Sequence, residues 1–135
     1  MTLKISLRKS DMYLQILEKK ICSLQKKLSL HERDYFEINL ILDEMCTNIF
    51  DNNTDNVDLE ISIEISITNK NLNIAFQDNG IPFDPGSFSS PDIRLPLARR
   101  QAGGLGLFFI KHYSDSINYK RVGNTNQTTL EKKLR

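Results

Sequence analysis

Leu59-Glu60-Ile61-Ser62-Ile63-Glu64-Ile65-Ser66-Ile67-Thr68-Asn69-Lys70-Asn71-Leu72-Asn73-Ile74-Ala75-Phe76 is the stretch that decides the fold. Apolar residues occupy every second position from Leu59 to Ile67, with Glu, Ser and Thr between them. A period of two is that of a strand with one dry and one wet face. Asn69-Lys70 interrupts the alternation as a turn. Leu72, Ile74 and Phe76 then resume it, so the segment predicts a β-hairpin. Leu3, Ile5 and Leu7 alternate with Lys4, Ser6 and Arg8 in the same way and predict a further short strand.

Helical periodicity lies between these strands. Leu14, Leu17, Ile21, Leu24 and Leu28 recur at three–four spacing, with Lys19, Lys20, Lys26 and Lys27 on the other side. The stripe predicts the buried face of an amphipathic helix, with Ser10 or Asp11 as its cap. A homodimer seam is the alternative use of that stripe, although two heptads are too few for a coiled coil. A second helix is expected over 34–50, with Leu40, Ile41, Met45 and Ile49 facing the core. His31 falls in the loop between the helices, and a polar, solvated loop is expected over 51–56. After the hairpin, residues 79–100 carry all 4 prolines and no clear period, which suggests a functional loop or lid. Gly103-Gly104-Leu105-Gly106-Leu107 leads into a short apolar helix that ends near His112, read as structural. Residues 116–121 and 128–134 predict a closing hairpin about Gly123-Asn124. Strand, two helices, hairpin, loop, helix, hairpin describes an α+β two-layer sandwich, with a mixed, mostly antiparallel sheet and helices on one face.

The chain has 135 residues, suited to one domain over 1–135. Its 18 basic and 17 acidic residues leave a net charge of +1, no electrostatic footprint for nucleic acid or an anionic membrane. The 2 cysteines, Cys22 and Cys46, lie in expected helices without metal-ligand spacing, which predicts packed, reduced thiols in a cytoplasmic protein. The first ten residues have no apolar core of a signal peptide, and no run reaches membrane-spanning length.

Three motifs stand out. Glu44 and Asn48 are four apart, so a helix places a carboxylate and a carboxamide on one face. The pair suits a general base beside a cation ligand, although such pairs are usually just solvated surface. Asp78 ends a strand and Gly80 follows, so the carboxylate could accept a hydrogen bond from an exocyclic amine with room for a flat ring. Gly103, Gly104 and Gly106 precede or open a helix whose amides could meet phosphate. No Gly-Lys-Ser/Thr follows, and no parallel βαβ unit surrounds them.

In this order the motifs resemble the N, G1 and G2 boxes of the GHKL ATPase superfamily with its Bergerat fold. They are most similar to the anti-sigma-factor serine kinases of bacterial partner-switching systems. Asp43-Glu44-Met45-Cys46-Thr47-Asn48, Asp78-Asn79-Gly80-Ile81-Pro82-Phe83-Asp84-Pro85 and Gly103-Gly104-Leu105-Gly106-Leu107 carry the resemblance. Leu95-Pro96-Leu97-Ala98-Arg99-Arg100 resembles that family's lid. The resemblance implies ATP and Mg²⁺ as cofactors and Glu44 as general base. Asn48 would hold the metal, and Asp78 with Gly80 would bind adenine. Gly103, Gly104, Leu105, Gly106 and Leu107 would line the phosphates, Arg99 or Arg100 would neutralise the transferring group, and Thr128 would touch the adenine site. It further implies an anti-anti-sigma-type antagonist as phosphate acceptor and a sigma factor as binding partner. A non-catalytic ATP-binding regulatory module is the alternative. A detached histidine kinase domain fits less well, because Pro82 stands where that family has glycine.

Overall fold

The computed structural model describes residues 2–9, 12–87 and 104–135, with the backbone alone at 104 and 105. The elements run β1 (Thr2–Arg8), α1 (Tyr13–Leu28), α2 (Glu32–Asp51), β2 (Glu60–Thr68) and β3 (Asn71–Asp78). A 3-10 turn (Pro85–Ser87) and then α3 (Gly104–Tyr113), β4 (Ser116–Val122) and β5 (Thr125–Lys133) follow.

The five strands form one sheet in the order β1-β2-β3-β5-β4. A mixed, mostly antiparallel sheet is expected from sequence; among the described residues every pairing is antiparallel. The α+β class holds, with α1, α2 and α3 packed on the sheet. Turn chemistry sets the register of β2 and β3. Asn69 and Lys70 both have positive φ, 50° and 64°. Positive φ at both central residues lets a two-residue turn follow the right-handed twist of the strands. Ile65 therefore opposes Ile74, and Ile63 opposes Phe76, on the same face. A one-residue slip would turn that whole face to water. In the second hairpin Gly123 takes the left-handed conformation at φ 59°. Here β5 starts at Thr125, three residues before the strand expected over 128–134, because its pairing with β4 continues to Val122.

The inward face of the sheet carries Ile5, Leu7, Ile61, Ile63, Ile65, Leu72, Ile74, Phe76 and Leu130, all buried. Against it lie Leu17, Ile21 and Leu24 of α1, the stripe Ile38, Ile41, Leu42, Met45, Ile49 and Phe50 of α2, and Leu107 and Ile110 of α3. Two expected core positions differ. Leu14 is 50% exposed, because Tyr13 takes the inward place and stacks on Phe50 with ring centroids 4.3 Å apart. Leu40 is half-buried, while Leu42, outside the expected set, is fully buried.

The helix ends also depart from expectation. Met12 is the N-cap of α1 and makes no side-chain cap bond; Ser10 and Asp11 lie outside the described residues. His31 is the N-cap of α2, its Nδ1 accepting from the backbone of Arg33 at 3.1 Å, so it caps a helix instead of sitting in an open loop. Cys46 is buried as expected, and its thiol is pushed up to about 12 by burial and by Asp43. Cys22 is exposed, not packed. Among the described residues no helix is long and apolar enough to cross a membrane.

Candidate functional site

The C-terminal half of α2, the end of β3, the start of β5 and the first turn of α3 are tied together by side-chain contacts at one end of the sandwich. Glu44 and Asn48 lie on the partly open side of α2, while Met45 and Ile49 turn into the core. The Asn48 side chain donates Nδ2–H to the carbonyl of Glu44 at 2.7 Å. That bond orients the carboxamide and leaves Oδ1 as the acceptor. An oriented amide oxygen could serve as one ligand to a hard cation such as Mg²⁺.

The Glu44 carboxylate reaches α3. A Cβ built on Gly106 would lie 2.2 Å from Glu44 Oε2 and 3.0 Å from its Cδ. The role expected for Gly106 was clearance for phosphates. In the structure the space left by its missing side chain is taken by the carboxylate. The helix begins at Gly104, so Gly104 and Gly106 lie in its first turn, where free backbone amides and the helix dipole favour negative charge. Partial burial nonetheless raises the pKa of Glu44, and Asp43 beside it raises it further. A raised carboxylate pKa brings a base closer to the pH at which it works. The Leu107 side chain is buried in the core, which leaves its main chain for any phosphate contact.

Asp78 is 5% exposed at the end of β3. Its Oδ1 accepts from the backbone N–H of Gly80 at 2.9 Å and from Asn126 Nδ2 at 2.9 Å. Burial raises its pKa, against the opposing pull of these two bonds and of Arg121. Thr128 pairs with Phe76 and shares the inward face with Asn126, one diagonal step from Asp78.

Gly80 also clears a protein side chain: a Cβ there would lie 2.5 Å from Nδ2 of Asn53. Asn53 is 6% exposed, donates to the carbonyl of Ile49 at 2.7 Å and accepts from the backbone of Ile81 at 2.9 Å. The segment expected as a solvated loop over 51–56 is thus the strap that ties the end of α2 to the turn after Asp78. Lys9 closes it, donating Nζ–H to the carbonyls of Asn53, Thr54 and Asn56.

Asn53 and Asn126, with Arg121 and Tyr119 around the latter, are the residues that sequence reasoning missed. For Asn126 a signal existed: counting back from Leu130 by twos puts Thr128 and Asn126 on the inward face. Asn53 carried none, since it lies in a run of polar residues. Arg99, Arg100 and Gly103 lie outside the described residues, and so does most of the expected lid; only its first part, to Ser87, is placed. There Asp84 Oδ1 accepts from the backbone of Gly86 at 2.9 Å, and Phe83 packs on the core.

The family described as histidine kinase-like ATPase domain matches residues 13–132. This chain belongs to that family. The matched span takes in every contact just described except that made by Lys9. The ATPase domain is also similar to named proteins. It is 29% identical over 96 residues to the serine/threonine-protein kinase BtrW of Bordetella bronchiseptica, covering 70% of this chain and 68% of that protein. It is 28% identical over 109 residues to the serine-protein kinase RsbW of Bacillus cereus, covering 78% of this chain and 68% of the relative. A Bacillus anthracis protein of the same name is 27% identical over the same length, with the same coverage.

Proposed function

We propose that this ATPase domain is an ATP-dependent serine/threonine-protein kinase of the cytoplasm. Its acceptor is a serine of an anti-anti-sigma-type antagonist protein, and it also binds and sequesters a sigma factor. The observation that carries the reading is the placement of Glu44. Its half-buried carboxylate lies beside Asn48 and against the first turn of α3, with its pKa raised. Nucleotide binding alone needs no base there. The names of the relatives support a protein serine as acceptor, and the antagonist and sigma factor are assigned by resemblance alone.

In this reading Asp78 and Gly80 receive the adenine, with Thr128 beside them. The first turn of α3, from Gly104 to Leu107, meets the phosphates, and Asn48 presents Oδ1 to Mg²⁺. Bound there, the ion would neutralise phosphate charge. Arg100 is assigned to the transferring group by resemblance alone. Glu44 takes the proton from the acceptor serine as the serine oxygen bonds to the γ-phosphorus and the ADP oxygen leaves. Positioning and charge stabilisation are the main contributions to such transfers.

The test is incubation with labelled ATP, Mg²⁺ and a single-domain anti-anti-sigma-type protein carrying a phosphorylatable serine. Phosphoserine on the acceptor, lost in Asn48→Ala and in excess chelator, is the expected result. Tight ATP binding with no transfer to any such acceptor would instead make the chain a non-catalytic regulatory module.

A further inference from the structure

Asn126 is 1% exposed, and its carboxamide makes four hydrogen bonds. Its Nδ2 donates to Asp78 Oδ1 at 2.9 Å and to the carbonyl of Ile81 at 2.7 Å. Its Oδ1 accepts from the Tyr119 hydroxyl at 2.6 Å and from an Arg121 guanidinium N–H at 3.1 Å. Two donors and two acceptors fill every position the amide offers. Turning it over would set its oxygen against two acceptors, so only one orientation is allowed. The same Arg121 nitrogen donates to the carbonyl of Gly80 at 2.6 Å, which ties the far side of the turn to this group.

The consequence falls on Asp78. Asn126 and the Gly80 amide both donate to Oδ1, and among the described residues no donor reaches Oδ2. Both donors favour the ionised carboxylate, which can only accept. Adenine presents an amine donor where guanine presents a carbonyl acceptor. An Asp78 kept ionised matches the first and repels the second, whereas a protonated Asp78 could donate to guanine.

We infer that Asn126, oriented by Tyr119 and Arg121, is the positioning residue that holds Asp78 as a pure acceptor and thereby sets the preference for adenine over guanine. The inference rests on the nucleotide site proposed above and adds the device that gives that site its base specificity. Asn126 itself touches no nucleotide in this account; it acts through Asp78.

The test compares Kd for ADP and GDP by calorimetry in the wild type, Asn126→Asp and Tyr119→Phe. In Asn126→Asp a second carboxyl faces Asp78 Oδ1, and one proton must be shared between them. The expected result is a fall of roughly 10- to 100-fold in the ratio of GDP Kd to ADP Kd, the loss of one charge-assisted contact. Tyr119→Phe removes one donor from the amide oxygen and is expected to lower the ratio by a smaller factor. A folded Asn126→Asp protein, judged by circular dichroism, with the wild-type ratio overturns the inference. Should that variant not fold, Tyr119→Phe decides: a lowered ratio supports the inference, and the wild-type ratio overturns it. Wild-type protein that binds neither nucleotide overturns the site itself, an outcome distinct from loss of selectivity alone.

Discussion

The Glu44 carboxylate occupies the space that a side chain on Gly106 would fill, 2.2 Å from the Cβ position. This contact joins α2 to α3 and sets the distance of the proposed base from the first turn of the helix. The displaced atoms in Gly106→Ala would be the free end of a flexible side chain, so the structure can yield cheaply. Alanine also favours a helix over glycine by about 1 kcal/mol. Gly106→Ala is therefore expected to keep or raise the melting temperature while slowing phosphoryl transfer at least about tenfold. Thermal unfolding and single-turnover transfer on the same sample check it. A wild-type rate would show that the carboxylate need not occupy this place.

Glu44→Gln conserves size and most hydrogen bonding but cannot take a proton. ADP affinity is expected to stay near wild type while transfer slows by roughly 10²–10⁴-fold. The pH profile gives an independent reading. Glu44 must be ionised to act, so the rate falls as pH drops through its folded pKa. Burial and Asp43 raise that pKa, so the acidic limb lies above the usual glutamate value of about 4.3. Asp43→Asn should move the limb to lower pH, and Glu44→Gln should lack it. A limb that persists unchanged in Glu44→Gln would exclude Glu44 as its source.

Gly80→Ala meets a different neighbour and should have the opposite character. The added Cβ falls 2.5 Å from the side chain of Asn53, which is held at both ends by bonds to Ile49 and Ile81. It cannot swing away without leaving buried polar groups unpaired. A loss of about 1–3 kcal/mol of stability is expected, measured by urea denaturation. Unchanged stability would mean that the strap from α2 to the turn is dispensable.

At the other end of α2, Glu37 and Asp34 are buried and meet the C-terminal segment. Lys132 bridges Glu37 and the carbonyl of Tyr113 at the end of α3. Arg135 pairs with both acids, at 3.1 Å to Glu37. Burial raises the Glu37 pKa, but the bonds from Arg135 and Lys132 outweigh it and leave the group below its ordinary value. A lowered pKa means that this stabilisation is complete above the unfolded value of about 4.3 and is lost as pH falls through the folded value. Lys132→Met is expected to cost about 3 kcal/mol at pH 7, because Glu37 keeps only part of its partners. Chemical denaturation at pH 7 and at pH 3 checks both: the difference between the proteins should shrink in acid.

Much of this was legible in the residues themselves. The alternation from Leu59 to Phe76 with Asn69-Lys70 between specifies a hairpin, because a period of two and a tight turn are local properties of the chain. The three-four stripe of α2 is equally local, and it puts Glu44 and Asn48 on one face without reference to any other element. The α+β class followed, and so did the resemblance carried by the three motifs. Tertiary structure decided which side chains Gly106 and Gly80 face. Gly106 clears Glu44 and Gly80 clears Asn53, and no spacing in the chain says which distant atom will fill a missing side chain. It decided as well that Tyr13 displaces Leu14 from the core, since one residue's rotation of a helix depends on what it packs against. Counting by twos places Asn126 on the inward face, but its network appears only through pairing: its partners Asp78, Ile81, Tyr119 and Arg121 come from two other strands and a turn. Helix and strand periods are written in neighbouring residues, whereas a buried polar network exists only after the sheet has set its register and brought residues distant in sequence within hydrogen-bond reach.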